Sequence, residues 1–331
     1  ALDAEVCARF TIALPVYWAT RGLWNEARAC VACALEGLDA LTPALRAGAL
    51  RSAASLALRS GDARTAASRA EAALAIVREH EGEAKVAPLL RILGSALSEC
   101  GEHDRAESLM LEALAIFRAQ GRAADVARGV GSVAWVALMR GDLDRAGSLY
   151  EESLALGREA GLVRTTAVAL HNLADIAWQQ GDLERAERLM HEAIDAARRT
   201  NERGLLGQSL QILGCVAAER GDPARALERL EEAVGLFREI GDEPYVALTV
   251  ESAAVALAGA DPARALRVAA AAAAYRAQVG PTPEPLRRGF DDALAAARRA
   301  LGRAAASKAT AEGRRMRVAE AIRLAFPHRE R

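Results

Sequence analysis

The chain has 331 residues, 52% of them hydrophobic and only 4% aromatic, and its formal net charge is −1 at pH 7. This length suits one large or two ordinary domains, and the near-zero charge excludes a molecule that attracts nucleic acid or anionic membrane as a whole. The longest uninterrupted apolar run, residues 268–275, is too short to cross a bilayer, and no secretory signal opens the sequence.

The cysteines begin near the amino terminus, where Cys30 and Cys33 form the sequence CVAC inside a predicted helix. A redox CxxC pair normally opens a helix after a strand, and a zinc site needs two further ligands. The pattern therefore favours two small core residues over either kind of site. The full set is odd in number, shows no disulfide framework and indicates a reducing, cytoplasmic setting: Cys7, Cys30, Cys33, Cys100 and Cys215.

A six-residue phrase recurs along the chain, and the interval between its closing alanines is 39 or 40 residues. The copies are GLWNEA at Gly22, GDARTA at Gly61, GEHDRA at Gly101, GDLDRA at Gly141, GDLERA at Gly181, GDPARA at Gly221 and ADPARA at Ala260. A fixed period of this length indicates a helical-repeat array.

Each part of the phrase has a local structural role. Its glycine adopts the left-handed conformation that ends one helix, and the acidic residue that follows caps the next helix. A second set of residues about 40 apart ends that next helix: Gly121, Gly161, Asn201, Gly241 and Gly280. Each period is therefore predicted to be two antiparallel helices, giving an all-α, α-α superhelix of about seven repeats.

His171 and Asp175 lie on one face of a predicted helix because they are four residues apart. A metal could use both, with His191 as a remote third candidate. The five histidines fall in different repeats without ligand spacing, so the sequence disfavours both a metal site and acid–base catalysis.

The first helices of successive repeats are expected to line the concave face of the array. Alignment of the copies places candidate ligand- or partner-binding residues on that face: Arg51, Arg91, Trp135, His171, Asp175, Trp178, Gln179, Gln208 and Gln211. Aromatic platforms beside a few polar groups are typical of a small-molecule or peptide groove. The alternative is that Trp135 and Trp178 merely fill space left by alanines.

No catalytic or cofactor-binding motif is recognisable in the sequence. It contains no GxxxxGK[ST] loop, and neither of its two lysines, Lys85 and Lys308, follows a glycine-rich loop. Nucleophile-elbow and dinucleotide-binding fingerprints are also missing. The sequence therefore predicts a non-catalytic chain without a cofactor or a metal.

The segment LGSALSECGEHDRAESLMLEAL, residues 93–114, resembles a tetratricopeptide repeat, with Gly94, Gly101, Ala106 and Ala113 on its signature small positions. The period of 40 in place of the usual 34 resembles the long repeats of large bacterial ATP-dependent regulators of the MalT/AfsR/LuxR type. Residues 265–326 resemble the segment that closes the array in those regulators. This resemblance implies that an ATPase and winged-helix module precedes Ala1 in the same polypeptide.

The two expected regions are the repeat array, residues 1–280, and a helical carboxy-terminal cap with a basic tail, residues 281–331. Residues 298–331 contain nine Arg and one Lys against three Glu, a net charge of +7. No DNA-recognition pattern accompanies this charge, so direct nucleic-acid binding is not expected.

The resemblance implies a sensor and protein-interaction domain of a bacterial regulatory protein. This domain is expected to bind an effector or a protein partner on its concave face. The alternative is a constitutive adaptor that binds a peptide or protein without sensing an effector. Neither hypothesis identifies the partner, the pathway or the oligomeric state.

Overall fold

The structure is a computed structural model that describes residues 3–15, 17–18, 23–59, 61–80, 82, 85–279 and 289–327, and every regular element in those ranges is helical. In chain order the helices are α1 (Ala4–Ala13), α2 (Trp24–Glu36), α3 (Pro43–Arg59), α4 (Ala63–His80), α5 (Val86–Glu99), α6 (His103–Ala119), α7 (Ala123–Met139), α8 (Leu143–Glu159), α9 (Val163–Gln180), α10 (Leu183–Thr200), α11 (Arg203–Glu219), α12 (Pro223–Ile240), α13 (Glu243–Leu257), α14 (Pro262–Val279), α15 (Phe290–Leu301), α16 (Arg303–Arg314) and α17 (Val318–Ala325), with a short 3₁₀ helix at Leu38–Ala40.

The predicted helix pairs are present, and the all-α, α-α superhelix fold class is confirmed. The first helices of the pairs are α3, α5, α7, α9, α11 and α13, and the second helices are α4, α6, α8, α10, α12 and α14. Within the pairs, α3 packs on α4, α5 on α6, α7 on α8, α11 on α12 and α13 on α14.

The residues predicted to end helices in the left-handed conformation do so wherever the structure describes them. Positive φ angles occur at Gly61, Gly101, Gly121, Gly141, Gly161, Gly181, Gly221 and Gly241. Asn201 has a φ of 53° and is the one non-glycine residue with positive φ in the described ranges, as expected for the side chain that best tolerates this region. Gly22 and Gly280 lie outside the described residues.

The acidic residues of the phrase cap the second helices, with one exception. The side chains of Asp142, Asp182 and Asp222 accept hydrogen bonds from the backbone N–H three residues later, at 3.2, 3.0 and 3.0 Å. Glu102 makes no such bond and pairs with Arg105 at 3.4 Å instead. Its predicted capping role is therefore wrong, because the longer glutamate side chain reaches past the backbone N–H groups that aspartate caps.

The chain divides into two compact units, Ala1–Ala169 and Leu170–Arg331. In the first unit the signature small residues allow first and second helices to approach closely. A Cβ atom at Gly94 of α5 would lie 2.8 Å from Met110 Cγ and 3.1 Å from the carbonyl oxygen of Ala106, both on α6. The Gly/Ala pairing of the repeat signature thus sets the distance between the two helices.

In the second unit the cap helices share one hydrophobic core with the last repeats. Phe290, Leu294 and Phe326 are buried in the same cluster as residues of α13 and α14. The Arg264 guanidinium of α14 donates to the carbonyl oxygens of Leu324 and Ala325, at 2.6 and 3.0 Å, and so caps the end of α17. The boundary expected near residue 281 lies outside the described residues and stays a prediction.

Arginine–glutamate pairs join the second helices of neighbouring repeats at a separation of 34 residues. The pairs are Arg105–Glu71 at 2.6 Å, and Arg78–Glu112, Arg118–Glu152 and Arg198–Glu232, each at 3.2 Å. The partners are about half exposed, so each pair contributes roughly 0–1 kcal/mol.

Among the described helices, none is long and apolar enough to cross a membrane.

Candidate functional site

The first helices of the second unit form an almost fully buried layer. On α9 the eight consecutive residues 171–178 are buried, and α13 is buried from Val246 to Ala254. A helix that is buried all round normally carries apolar residues. This layer instead buries a set of polar side chains: His171, Asn172, Asp175, Ser209, Gln211, Thr249, Glu251 and Ser252.

Polar pairs join each first helix to the next one. His171 Nδ1 lies 3.0 Å from Ser209 Oγ, between α9 and α11. The Trp178 indole donates to Glu219 Oε1 at 2.8 Å across the same two helices, and Gln211 Nε2 donates to Ser252 Oγ at 2.9 Å between α11 and α13. The separations along the chain are 38, 41 and 41 residues, close to one repeat.

His171 is a buried neutral side chain in this layer. It is 9% exposed, and burial lowers its pKa to about 4. The uncharged ring, held by Ser209, is closed off from a reacting group in solution. No group of three or more His, Cys, Asp or Glu residues that could hold a metal occurs in the part of the chain that the structure describes.

Asp175 is a buried carboxyl group that is satisfied on one side only. Its Oδ2 accepts a hydrogen bond from Gln179 Nε2 at 3.1 Å, whereas the buried Oδ1 has no hydrogen-bond partner among the described residues. Burial raises the pKa of Asp175 to about 6, against the lowering effect of Gln179. An unsatisfied buried oxygen costs about 1–3 kcal/mol, so the site favours an added donor group.

Glu251 on α13 is a second buried acid, but it has a charged partner. It is 1% exposed, and its Oε1 lies 3.0 Å from Arg276 Nε on α14, without the alignment of a hydrogen bond. Because the pair is nearly neutral as a unit, it serves the packing of α13 on α14 and leaves Asp175 as the carboxyl with an open oxygen.

The candidate residues differ in accessibility. Trp178 is 1% exposed and Gln211 equally so; they are parts of the layer and not of its surface. Gln179 and Gln208 are partly exposed. In the first unit Arg51, Arg91 and Trp135 are partly exposed, and burial together with the positive charges of Arg128 and Arg164 lowers the pKa of Arg91.

A cleft of about 410 Å³ lies where α11, α13 and α15 meet. It is lined by Ala218, Glu219, Val255, Gly289, Asp292 and Ala293. Glu219 is the residue that holds the Trp178 indole, so the cleft adjoins the polar layer. Neither Glu219 nor Asp292 was among the residues predicted from the sequence, because the first lies at a helix end and the second belongs to the cap.

Cys215 lies on the same side of the layer. Burial raises its pKa to about 12; a hydrogen bond with Ser252 opposes the shift, and the charges of Glu219 and Asp175 add to it. Gln211 Nε2 of the same helix donates to Cys215 Sγ at 3.4 Å. Cys215, Gln208 and Glu219 mark the side of α11 that is not fully buried.

The basic residues of the cap point to solvent. Arg298, Arg299, Arg303, Lys308, Arg314, Arg315, Arg317 and Arg323 are all exposed. Two acids counter them locally: Glu320 pairs with Arg317 at 3.5 Å, and Glu312 pairs with Arg267 of α14 at 3.2 Å.

Comparison with known families identifies the repeats. The tetratricopeptide-repeat profile matches residues 85–159 and 165–239, and a profile of anaphase-promoting complex subunit 5 matches residues 46–99. Residues 85–159 and 165–239 therefore match tetratricopeptide repeats. No curated protein matches the chain.

Similar solved structures include a Rap protein complexed with competence and sporulation factor, at 17% identity over 75% of this chain and 74% of that chain, with a TM-score of 0.58. NprR in complex with its cognate peptide NprX is 12% identical over 76% and 73%, with a TM-score of 0.63. Aspartyl phosphate phosphatase F from Bacillus subtilis is 11% identical over 96% of both chains, with a TM-score of 0.58. At these identities the likeness shows the fold alone.

Proposed function

We propose that this chain is a non-catalytic sensor and interaction module of a bacterial regulatory protein. Its first-helix layer binds a peptide or protein partner and relays that event to another part of the regulator. The observation that carries the proposal is the half-satisfied carboxyl group of Asp175 in the buried polar layer.

Asp175 gives the binding site its chemistry. Because Oδ1 is buried, a peptide N–H or a cationic group reaches it only when the layer opens, and the oxygen then gains a charge-assisted hydrogen bond. Two partly exposed side chains of the first helices are suited to a peptide, because Gln179, which donates to Asp175, and Gln208 carry amides that both donate and accept. The cleft beside Glu219 provides room for one side chain of the partner.

Proteins of the same fold support a peptide as the partner. The Rap protein and NprR are described in complexes with competence and sporulation factor and with the peptide NprX. Stacked helix pairs present the surface that an extended or helical segment needs. A peptide partner is therefore proposed ahead of a small-molecule effector.

A non-catalytic role is supported by the state of the two groups that most resemble catalytic ones. His171 is buried and tied to Ser209, and Asp175 is tied to Gln179. Neither side chain stands at an open surface where a substrate and a water molecule meet it together.

The regulatory context rests on the resemblance to MalT/AfsR/LuxR-type regulators. It supports a cytoplasmic protein in which an ATPase and winged-helix module precedes the array and controls transcription. The coding sequence upstream of Ala1 tests this point directly: a phosphate-binding loop followed by a winged helix supports it, and a nearby start codon favours the free adaptor.

Selection of a random displayed peptide library against the immobilised chain tests the binding site. Enriched peptides are expected to bind the Asp175→Asn variant about tenfold more weakly, since they lose a charge-assisted hydrogen bond. Asp195→Asn on α10 is the matched control, because Asp195 is exposed on a second helix. Equal binding to both variants contradicts the proposed site.

Hydrogen exchange with an enriched peptide separates a sensor from an adaptor. A sensor changes amide exchange in helices that do not contact the peptide, because binding shifts a conformational equilibrium. An adaptor shows protection only where the peptide lies. The adaptor hypothesis is supported if α16 and α17, which contribute no residue to the cleft lining, exchange at unchanged rates in the complex.

A further inference from the structure

Three cysteines of the first unit lie on α1 and α2, two helices that pack against each other. Cys7 of α1 is fully buried, whereas Cys30 and Cys33 of α2 are partly exposed. Cys33 packs against the hydrophobic cluster that contains Cys7, and the neighbouring thiols of Cys33 and Cys30 contribute to the raised pKa of Cys7. The sequence separates Cys7 from the CVAC pair by more than twenty residues, so only the packing of the two helices unites them.

The surroundings of Cys7 hold the thiols in place. Cys7 belongs to a small hydrophobic cluster with Ala8, Ala34, Leu41 and Ala49, and Cys33 packs against that cluster. Ala8 and Ala34 are fully buried, so the two helices approach closely at this level. Of the two α2 thiols, Cys33 is therefore the one fixed beside Cys7.

Other arrangements of these thiols are less well supported. The described residues contain no group of three ligands arranged to hold a metal. A disulfide between Cys30 and Cys33 would join two residues of one helix, and Cys7 would remain a thiol. The neighbouring helices bring Cys7 and Cys33 together before any reaction, and this proximity favours the bond between α1 and α2.

We propose that Cys7 and Cys33 form an oxidation site, in which a peroxide converts the two thiols to a disulfide that joins α1 to α2.

The reaction balances in two steps with hydrogen peroxide as the oxidant. The Cys33 thiolate attacks one peroxide oxygen, the O–O bond breaks, hydroxide leaves, and Cys33 becomes a sulfenic acid. Cys7 sulfur then attacks Cys33 sulfur, the S–S bond forms, and the S–O bond breaks. The departing oxygen takes the Cys7 proton, so two thiols and one peroxide give one disulfide and two waters.

The environment of Cys7 sets the order of these steps. Burial, with the neighbouring thiols, raises the pKa of Cys7 to about 12. Because the thiolate is the nucleophile, Cys7 reacts slowly with peroxide, and the partly exposed Cys33 reacts first. Formation of the disulfide from the sulfenic acid is then the slow step, and raising the pH accelerates it.

Mass spectrometry of the full chain treated with hydrogen peroxide tests the proposal. A Cys100→Ser background removes the one exposed thiol and prevents links between chains. The expected product is an intact mass lower by two hydrogens and a non-reduced peptide that links Cys7 to Cys33. Cys7→Ser and Cys33→Ser must each abolish it, and Cys215→Ser is the matched control that must leave it unchanged.

A chain that gains only oxygen atoms, or whose disulfide joins Cys30 to Cys33, overturns the proposal. Circular dichroism guards against a variant that fails to fold; if Cys7→Ser unfolds, Cys7→Ala replaces it because alanine matches the apolar site. Dimedone added at successive times after the peroxide should trap the Cys33 sulfenic acid at late times in the Cys7→Ala variant and only at early times in the parent; equal trapping at late times in both contradicts the order of the two steps.

Discussion

The indole of Trp178 donates a hydrogen bond to Glu219, 41 residues further along the chain, and so joins two successive first helices. Trp178, which was predicted to line a binding groove, is therefore part of the buried layer of first helices. Glu219, which accepts this hydrogen bond, also lines the cleft between α11, α13 and α15.

Trp178→Phe separates the ring's packing from its hydrogen bond. The variant is expected to lower the free energy of unfolding by about 0.5–1.5 kcal/mol, the net contribution of one hydrogen bond. Trp178→Ala is expected to lower it by about 3–5 kcal/mol, because it also leaves a cavity. Urea denaturation measures both. Trp135→Phe, at a partly exposed position, is the control. A larger loss of unfolding free energy in that variant than in Trp178→Phe would falsify the assignment of Trp178 to the buried layer.

Asp175→Asn is expected to stabilise the protein at neutral pH. The folded-state pKa of Asp175 is raised from 3.8 to about 6. Stability is therefore lost as pH rises from 3.8 through 6, and above that window the charged group costs about 1–3 kcal/mol. Unfolding midpoints in urea at pH 7.5 and pH 4 measure the gain, which should shrink at the lower pH. A variant less stable than the parent at pH 7.5 contradicts the prediction.

His171→Gln is expected to remove a pH dependence of the opposite sign. The folded-state pKa of His171 is lowered from 6.5 to about 4. Stability is therefore full above 6.5 and is lost as pH falls towards 4, by about 3 kcal/mol when complete. In the parent, the opposite pH dependences of stability from His171 and Asp175 overlap in the same pH range. The stability profile of each variant should therefore show the pH dependence that comes from the residue it retains. His191→Gln, at an exposed site, should leave the profile unchanged.

Gly214→Ala should destabilise the second unit, and Gly235→Ala should not. A Cβ at Gly214 of α11 would lie 2.7 Å from Leu230 Cγ and 3.2 Å from the Ala226 carbonyl oxygen. The expected cost is about 1–3 kcal/mol from overpacking. Nothing lies within 4 Å of a Cβ at Gly235 on α12, so alanine there should stabilise the helix by roughly 0.5–1 kcal/mol. Thermal unfolding of the two variants should shift in opposite directions.

The turn and the helix cap of each repeat were predictable because their causes are local. Gly181 and Asp182 act on the backbone within a few residues, through a left-handed turn and a capped helix end. Asn201 in place of glycine follows from the same rule. Glu102 is the exception, because it has the charge of aspartate but its longer side chain extends past the backbone N–H groups that aspartate caps.

The candidate site was predictable only in part. Alignment of the repeats placed His171, Asp175 and Gln211 on the first helices, and the structure brings polar residues of successive first helices into pairs. The alignment gave no measure of exposure, so it treated buried Trp178 and partly exposed Gln179 alike. Binding by these residues stays a prediction.

The repeat period, the helix ends and the small contact positions can be read from the sequence, since the turn, cap and contact residues of each copy act on residues a few places away. Tertiary structure alone decided which polar groups find partners and which, like Asp175 Oδ1, do not. Helix packing likewise brings Cys33 against the cluster that contains Cys7, and it brings Glu219 and Asp292 to one cleft. These contacts join distant segments, and their geometry depends on how whole helices pack and not on any local pattern of residues.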